Sequence, residues 1–218
     1  MLDWANPGTW RSGVCPDAAI PTAEQVRQRF HAVRAFHAAR PTDVDRYYRR
    51  GIVPLTYAEW CELVDECFLS RLEDAALAGA VTRARDVQFD LIRDGRVFFC
   101  CDRRLLEECD GYTLLFGSLS LLAVAIQIDN KYGTAFKDAL RLRGEPVVFV
   151  CDVPMALIED DTLVRLGTML YESRTALDAP LPDLHFSIPN ALPAEFITSH
   201  YRPDRVIDAV YGRHIGVT

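Results

Sequence analysis

Pro146-Val-Val-Phe-Val-Cys-Asp-Val153, stopped by a second proline at Pro154, is the stretch whose reading decides the fold. It is short, apolar, rich in β-branched residues and bounded by prolines, which predicts a core strand rather than a helix. Downstream, Leu163, Leu166, Met169 and Leu170 give the stripe of a helix, and Leu184 to Ile188 and Phe196 to Tyr201 read as late strands. Upstream, Val87-Gln-Phe-Asp-Leu-Ile92 alternates, Arg93-Asp-Gly-Arg96 reads as a turn, and Val97-Phe-Phe-Cys-Cys101 is apolar, so a hairpin is predicted there.

Nearer the amino terminus the period becomes helical. Thr22-Ala-Glu-Gln25 and Thr56-Tyr-Ala-Glu59 both have the capping-box pattern. The first predicts a helix to about Ala32, followed by a strand at Val33-Arg-Ala-Phe-His37. The second opens an amphipathic helix carrying Trp60, Leu63, Val64, Cys67, Phe68 and Leu72, ending near Gly79. Between them, Pro41 to Arg50 reads as a short helix closed by Gly51. A short helix over about Arg103 to Glu108 precedes a buried one over about Ser118 to Ile128. Residues 1–21 read as an irregular arm and 22–218 as one domain. Helices dominate the first half and strands the second, so the expected class is α+β, with helices packed on a mixed or antiparallel sheet.

Composition narrows the function classes. The 218 residues are 50% hydrophobic and 25% charged, enough to bury a core. The net charge of −7 argues against general binding of duplex nucleic acid through phosphates, and the Arg46, Arg49, Arg50 cluster reads as a solvated helix face. The odd set of Cys15, Cys61, Cys67, Cys100, Cys101, Cys109 and Cys151 contains no CxxC pair, which predicts reduced, mostly buried thiols in a cytoplasmic protein. The amino-terminal residues lack the basic-then-apolar pattern of a signal peptide. The uncharged run from Gly111 to Ile128 is bounded by Asp110 and Asp129 and includes polar residues, so a buried helix is expected rather than a membrane span. The five histidines are scattered with no partner at ligand spacing, and no metal site is expected. The chain also lacks GxGxxG, P-loop, HExxH and GxSxG patterns.

Five separated segments carry the chemistry. A strand ends in Phe36-His37-Ala38-Ala39-Arg40, and Gly51-Ile52-Val53-Pro54 follows a short helix. A second strand ends in Phe98-Phe99-Cys100-Cys101-Asp102, and Gly117-Ser118-Leu119-Ser120 opens a helix. Leu192-Pro193-Ala194-Glu195-Phe196-Ile197 lies near the carboxyl end. In order and spacing these resemble the His-Tyr-Glu branch of the ADP-ribosyltransferase superfamily, over roughly residues 33 to 208. That branch includes poly(ADP-ribose) polymerases, tRNA 2′-phosphotransferases and DNA-targeting ADP-ribosyltransferase toxins.

The resemblance implies an ADP-ribosyltransferase-like fold, NAD as substrate, and transfer of ADP-ribose to a macromolecular acceptor, or NAD hydrolysis. It implies that His37 bonds the adenosine-side ribose and that Phe99 stacks on nicotinamide. Ser118, or Ser120, would bond the carboxamide, while Glu195 would hold the ribose hydroxyl and orient the acceptor. Arg40, with its planar fork, is a candidate for the pyrophosphate. Ala38-Ala39 and Phe99 depart from the family's Gly-Thr and Tyr, so a catalytically inactive relative that binds a partner protein is the main alternative. Each residue also has a plainer reading: His37 as a turn cap, Phe99 as core, Ser118 as a helix cap, Glu195 as a solvated loop residue. A third possibility is a cysteine-dependent hydrolase using Cys101.

Overall fold

The computed structural model describes residues 1–6, 8, 20–92, 95–109, 111–173, 185–208 and 212–216. Its centre is β1 (Ala32–Ala39), whose two faces are both apolar. Val33, Ala35 and Ala39 enter one hydrophobic cluster, while Phe36 and Ala38 enter the other. Such a strand belongs between two layers, because successive side chains point to opposite faces of a sheet. It is flanked by β2 (Val97–Cys100) and β3 (Val147–Pro154), with β4 (His185–Ile188) and β5 (Ile197–Tyr201) at the edges. The order is β4-β2-β1-β3-β5, and every neighbouring pair is antiparallel. The predicted strand at Pro146–Val153 is therefore β3, next to the centre.

One face is covered by α1 (Ala23–Arg29) and α8 (Asp160–Ser173), with the six-residue α2 (Asp45–Arg50) over its far end. The other face carries α3 (Tyr57–Cys67), α4 (Ala75–Ile92), α5 (Tyr112–Phe116), α6 (Leu119–Tyr132) and α7 (Phe136–Arg141). Both capping boxes form: Gln25 N donates to Thr22 Oγ1 at 3.3 Å and Glu59 N to Thr56 Oγ1 at 3.2 Å, each answered by the glutamine or glutamate side chain. Gly51 closes α2 with φ 77°, a conformation that favours glycine. A small hairpin of β6 (Arg205–Asp208) and β7 (Arg213–Gly216), not expected from the sequence, completes the described chain.

The structure corrects two expectations. Residues 87–92 belong to α4, so the hairpin predicted over 87–101 does not form, and β2 pairs instead with β1 and β4. Val87 is 58% exposed, whereas Phe89 packs edge-on against Tyr57 at 4.7 Å. That in-out pair mimics alternation, but Phe89 packs against the cluster that Ala80, Val81 and Ala84 of the same helix enter. The helix expected to reach Gly79 ends at Cys67, and Gly79 lies within α4. The buried helix expected over about Ser118 to Ile128 forms as α6, set off from α5 at Gly117 with φ 88°. No helix among the described residues is long and apolar enough to cross a membrane.

The expected amino-terminal arm begins inside the fold. Leu2 is fully buried and bridges in parallel to Val33, with Leu2 N donating to Ala32 O at 2.8 Å. Most of the remainder of that arm lies outside the described residues, as does Cys15. The other six cysteines are free thiols. The arginine face of α2 is ion-paired rather than merely solvated: Arg46 with Glu59, and Arg49 with Asp43.

Candidate functional site

His37 sits on the α2 side of β1, opposite Phe149 of β3. Its Nδ1 lies 2.9 Å from the carbonyl oxygen of Phe98. A carbonyl only accepts, so Nδ1 carries the hydrogen and, in the neutral ring, Nε2 holds a lone pair. Burial pushes the imidazole pKa below its ordinary value, and the carbonyl bond only partly opposes this. Three rings surround it: Phe99 at 5.9 Å, Tyr47 at 6.3 Å and Phe149 at 6.4 Å between centroids.

Phe149 is the hub of a wider aromatic group. Tyr47 stacks on it at 4.3 Å with an interplanar angle of 23°. Tyr48 meets it edge-on at 6.3 Å and His200 of β5 lies at 6.0 Å. The Tyr48 hydroxyl is 2.8 Å from His200 Nδ1. Sequence reading missed Tyr47, Tyr48, Phe149 and His200. The one available signal was two adjacent tyrosines in the otherwise charged segment Asp45-Arg-Tyr-Tyr-Arg-Arg50.

Glu195 is exposed on a single 3-10 turn, Ala194–Phe196, that runs directly into β5. This turn packs against α2 and β3. Its position is set by the segment after α2, where Ile52 N donates to Leu192 O at 2.9 Å and Leu192 N to Ile52 O at 2.8 Å. Glycine is required at position 51, because a Cβ there would stand 2.1 Å from the Leu192 carbonyl oxygen. The same α2 thus borders both His37, through Tyr47, and the turn bearing Glu195.

The remaining candidates lie apart from this pair. Phe99 is buried and stacked on Phe186 at 5.5 Å, so its ring supports the imidazole from within the core. The guanidinium of Arg40 is spent on backbone carbonyls: Nε to Arg143 O at 2.8 Å, Nη1 to Leu114 O at 2.8 Å, and Nη2 to Arg141 O. It staples the end of β1 to α5 and to the segment leading into β3. Desolvation and then the neighbouring Arg141 charge lower its pKa, which an arginine tolerates without losing its proton. Ser118 caps α6, accepting from Leu121 N at 3.0 Å, and Ser120 lies in the first turn of that helix. Helix α6 belongs to the layer on the face opposite His37.

Cys101 is buried, and burial together with the neighbouring Cys100 and Asp102 pushes its thiol well above the ordinary range. A nucleophilic cysteine needs the reverse, a depressed pKa and access, so this geometry lends the hydrolase reading no support. No cluster of three metal-ligating side chains occurs among the described residues. A cavity of about 540 Å³ opens by the start of α2, lined by Pro41 to Asp45, Gly144, Glu145 and Arg202, and none of the candidate site residues lines it.

Compared with protein-family models, with curated proteins and with solved structures, the chain finds no match. The functional reading therefore rests on the geometry of its own side chains.

Proposed function

We propose that this protein binds NAD between His37 and Glu195 and transfers its ADP-ribose to a macromolecular acceptor or to water. One observation carries the reading. An imidazole held uncharged and an exposed carboxylate, far apart in sequence, belong to segments that both border one short helix, His37 through Tyr47 and Glu195 through its turn. Cleavage of the nicotinamide–ribose bond develops positive charge on the ribose, which a nearby carboxylate stabilises. A neutral imidazole with its tautomer fixed by a carbonyl offers Nε2 as an acceptor for a ribose hydroxyl. Because Tyr47 covers Phe149 beside the imidazole, NAD enters this site only when that ring turns aside.

The test is nicotinamide release from NAD by the wild-type protein and by Glu195→Ala. The expected result is a loss of about 10²–10³-fold in turnover, the range typical for removing a group that stabilises transition-state charge. Equal release from the two proteins overturns the role of Glu195.

A second reading is favoured by the closed state of the aromatic group and by the engagement of Arg40: a catalytically inactive relative that binds a partner protein. NAD separates the two readings, because a ligand that binds only the native state must raise the melting temperature. No shift at millimolar NAD favours the binding module.

A further inference from the structure

We infer that Tyr48 and His200 are the proton-accepting pair of this site, and that its acceptor is a neutral hydroxyl rather than a carboxylate. The inference rests on the NAD reading above and goes beyond it by assigning the acceptor side. Glu195, in that reading, holds the ribose hydroxyl and orients the acceptor, and the proton of a hydroxyl acceptor still needs a group to receive it. Tyr48 and His200 meet the requirement by position. The tyrosine hydroxyl is 2.8 Å from His200 Nδ1, both side chains are exposed, and both border the Phe149 ring that also borders His37. His200 stands on the strand that the Glu195 turn leads into, and Tyr48 on the helix against which that turn packs. The pair therefore stands on the two elements that border the turn carrying Glu195.

The step balances without any further reactant. The acceptor oxygen forms a bond to C1′ of the ribose as the C1′–N bond breaks, and nicotinamide leaves neutral with the bonding electron pair. The acceptor proton passes to the Tyr48 oxygen, whose own proton passes to His200 Nδ1. A carboxylate acceptor has no proton to lose and makes the pair superfluous, which is why the pair specifies a hydroxyl.

The experiment uses the full chain, NAD, and three small nucleophiles: water, methanol and azide. His200→Gln keeps a carbonyl able to accept from Tyr48, so it preserves a tether while removing the base, whereas His200→Ala removes both. We expect His200→Gln and His200→Ala alike to lose turnover with water and methanol by about 10²-fold, the lower end for general base catalysis, with KM for NAD nearly unchanged. Tyr48→Phe should fall in the same direction. Azide, already an anion, should restore turnover in His200→Gln. If His200→Gln matches wild type while His200→Ala falls, or if azide restores nothing, the pair is a structural tether and the inference is overturned. If the wild-type protein releases no nicotinamide from NAD at all, the NAD reading fails and takes this inference with it.

Discussion

The two faces of the sheet are built to different standards of closure. On one, α3 to α7 bury Trp60, Phe68, Leu114, Leu115, Phe116, Leu121 and Ile128 in one cluster, with helices packed on helices behind the sheet. On the other, α1 and α8 seal one end, but the end holding His37 is covered by α2, a six-residue helix with no buried residue of its own. A helix that short is held by its neighbours rather than by its own hydrogen bonds. Here those neighbours are the Tyr47–Phe149 stack, the Tyr48–His200 bond and the ion pairs of Arg46 and Arg49. The difference is one of depth: one face is closed by helices packed in layers, and the thinner end of the other by a few side-chain contacts around α2.

The largest effect should come from the dense face. Trp60 is fully buried and its Nε1 donates to Arg85 O at 3.0 Å. Trp60→Ala leaves a cavity and removes that bond, and should cost about 3–5 kcal/mol by urea unfolding. A loss below about 1 kcal/mol would mean that this face is as loosely closed as the other.

The thin end should behave differently. Tyr47→Ala removes one stacked pair, worth about 0.5–1.5 kcal/mol beyond the area it buries. Under the NAD reading it should also tighten NAD binding severalfold, because a site occupied by its own side chain is competent for only part of the time. Calorimetric titration with NAD checks this. Unchanged or weakened binding would show that Tyr47 is not a cover, and the contrast between the two faces would then be one of stability alone.

How much of this was legible in the sequence depends on the range of the interaction involved. Capping boxes at Thr22 and Thr56, the glycine stop at Gly51 and the proline-bounded strand at β3 are local patterns, and each is realised in the structure. The α+β class followed from them. Residues 87–92 misled because a six-residue window fits both periods, while the structure continues α4 through them and packs Phe89 on Tyr57. The candidate site was harder, because it is assembled from contacts between distant strands. His37 and Glu195 were picked out by resemblance, and the structure puts their segments on one side of the sheet. Ser118 and Ser120 lie in the opposite layer, where the hydroxyl of Ser118 caps α6. Arg40 has the fork suited to a phosphate, yet its donors meet three carbonyls that no local pattern announces. Tyr48 and His200 could not be linked at all before the register of β3 and β5 was known.

The subtlest difference between the faces is electrostatic. His37 is a titratable group inside the thin end, beside the ring of Tyr47, whose phenol pKa burial raises, and the apolar rings of Phe99 and Phe149. Burial lowers its folded-state pKa, so as pH falls the unfolded chain takes up this proton first, beginning near the ordinary imidazole value of about 6.5. With more protons bound in the unfolded state, stability must rise with pH across this window, and the contribution is lost as acid approaches the folded value. Urea midpoints measured from mildly alkaline to mildly acidic pH should therefore decline for the wild type, with a shallower decline for His37→Gln, whose amide does not titrate. Parallel slopes for the two proteins would mean that the imidazole already meets water freely in the native state. The thin end would then be open at rest, and Tyr47→Ala should change NAD affinity little.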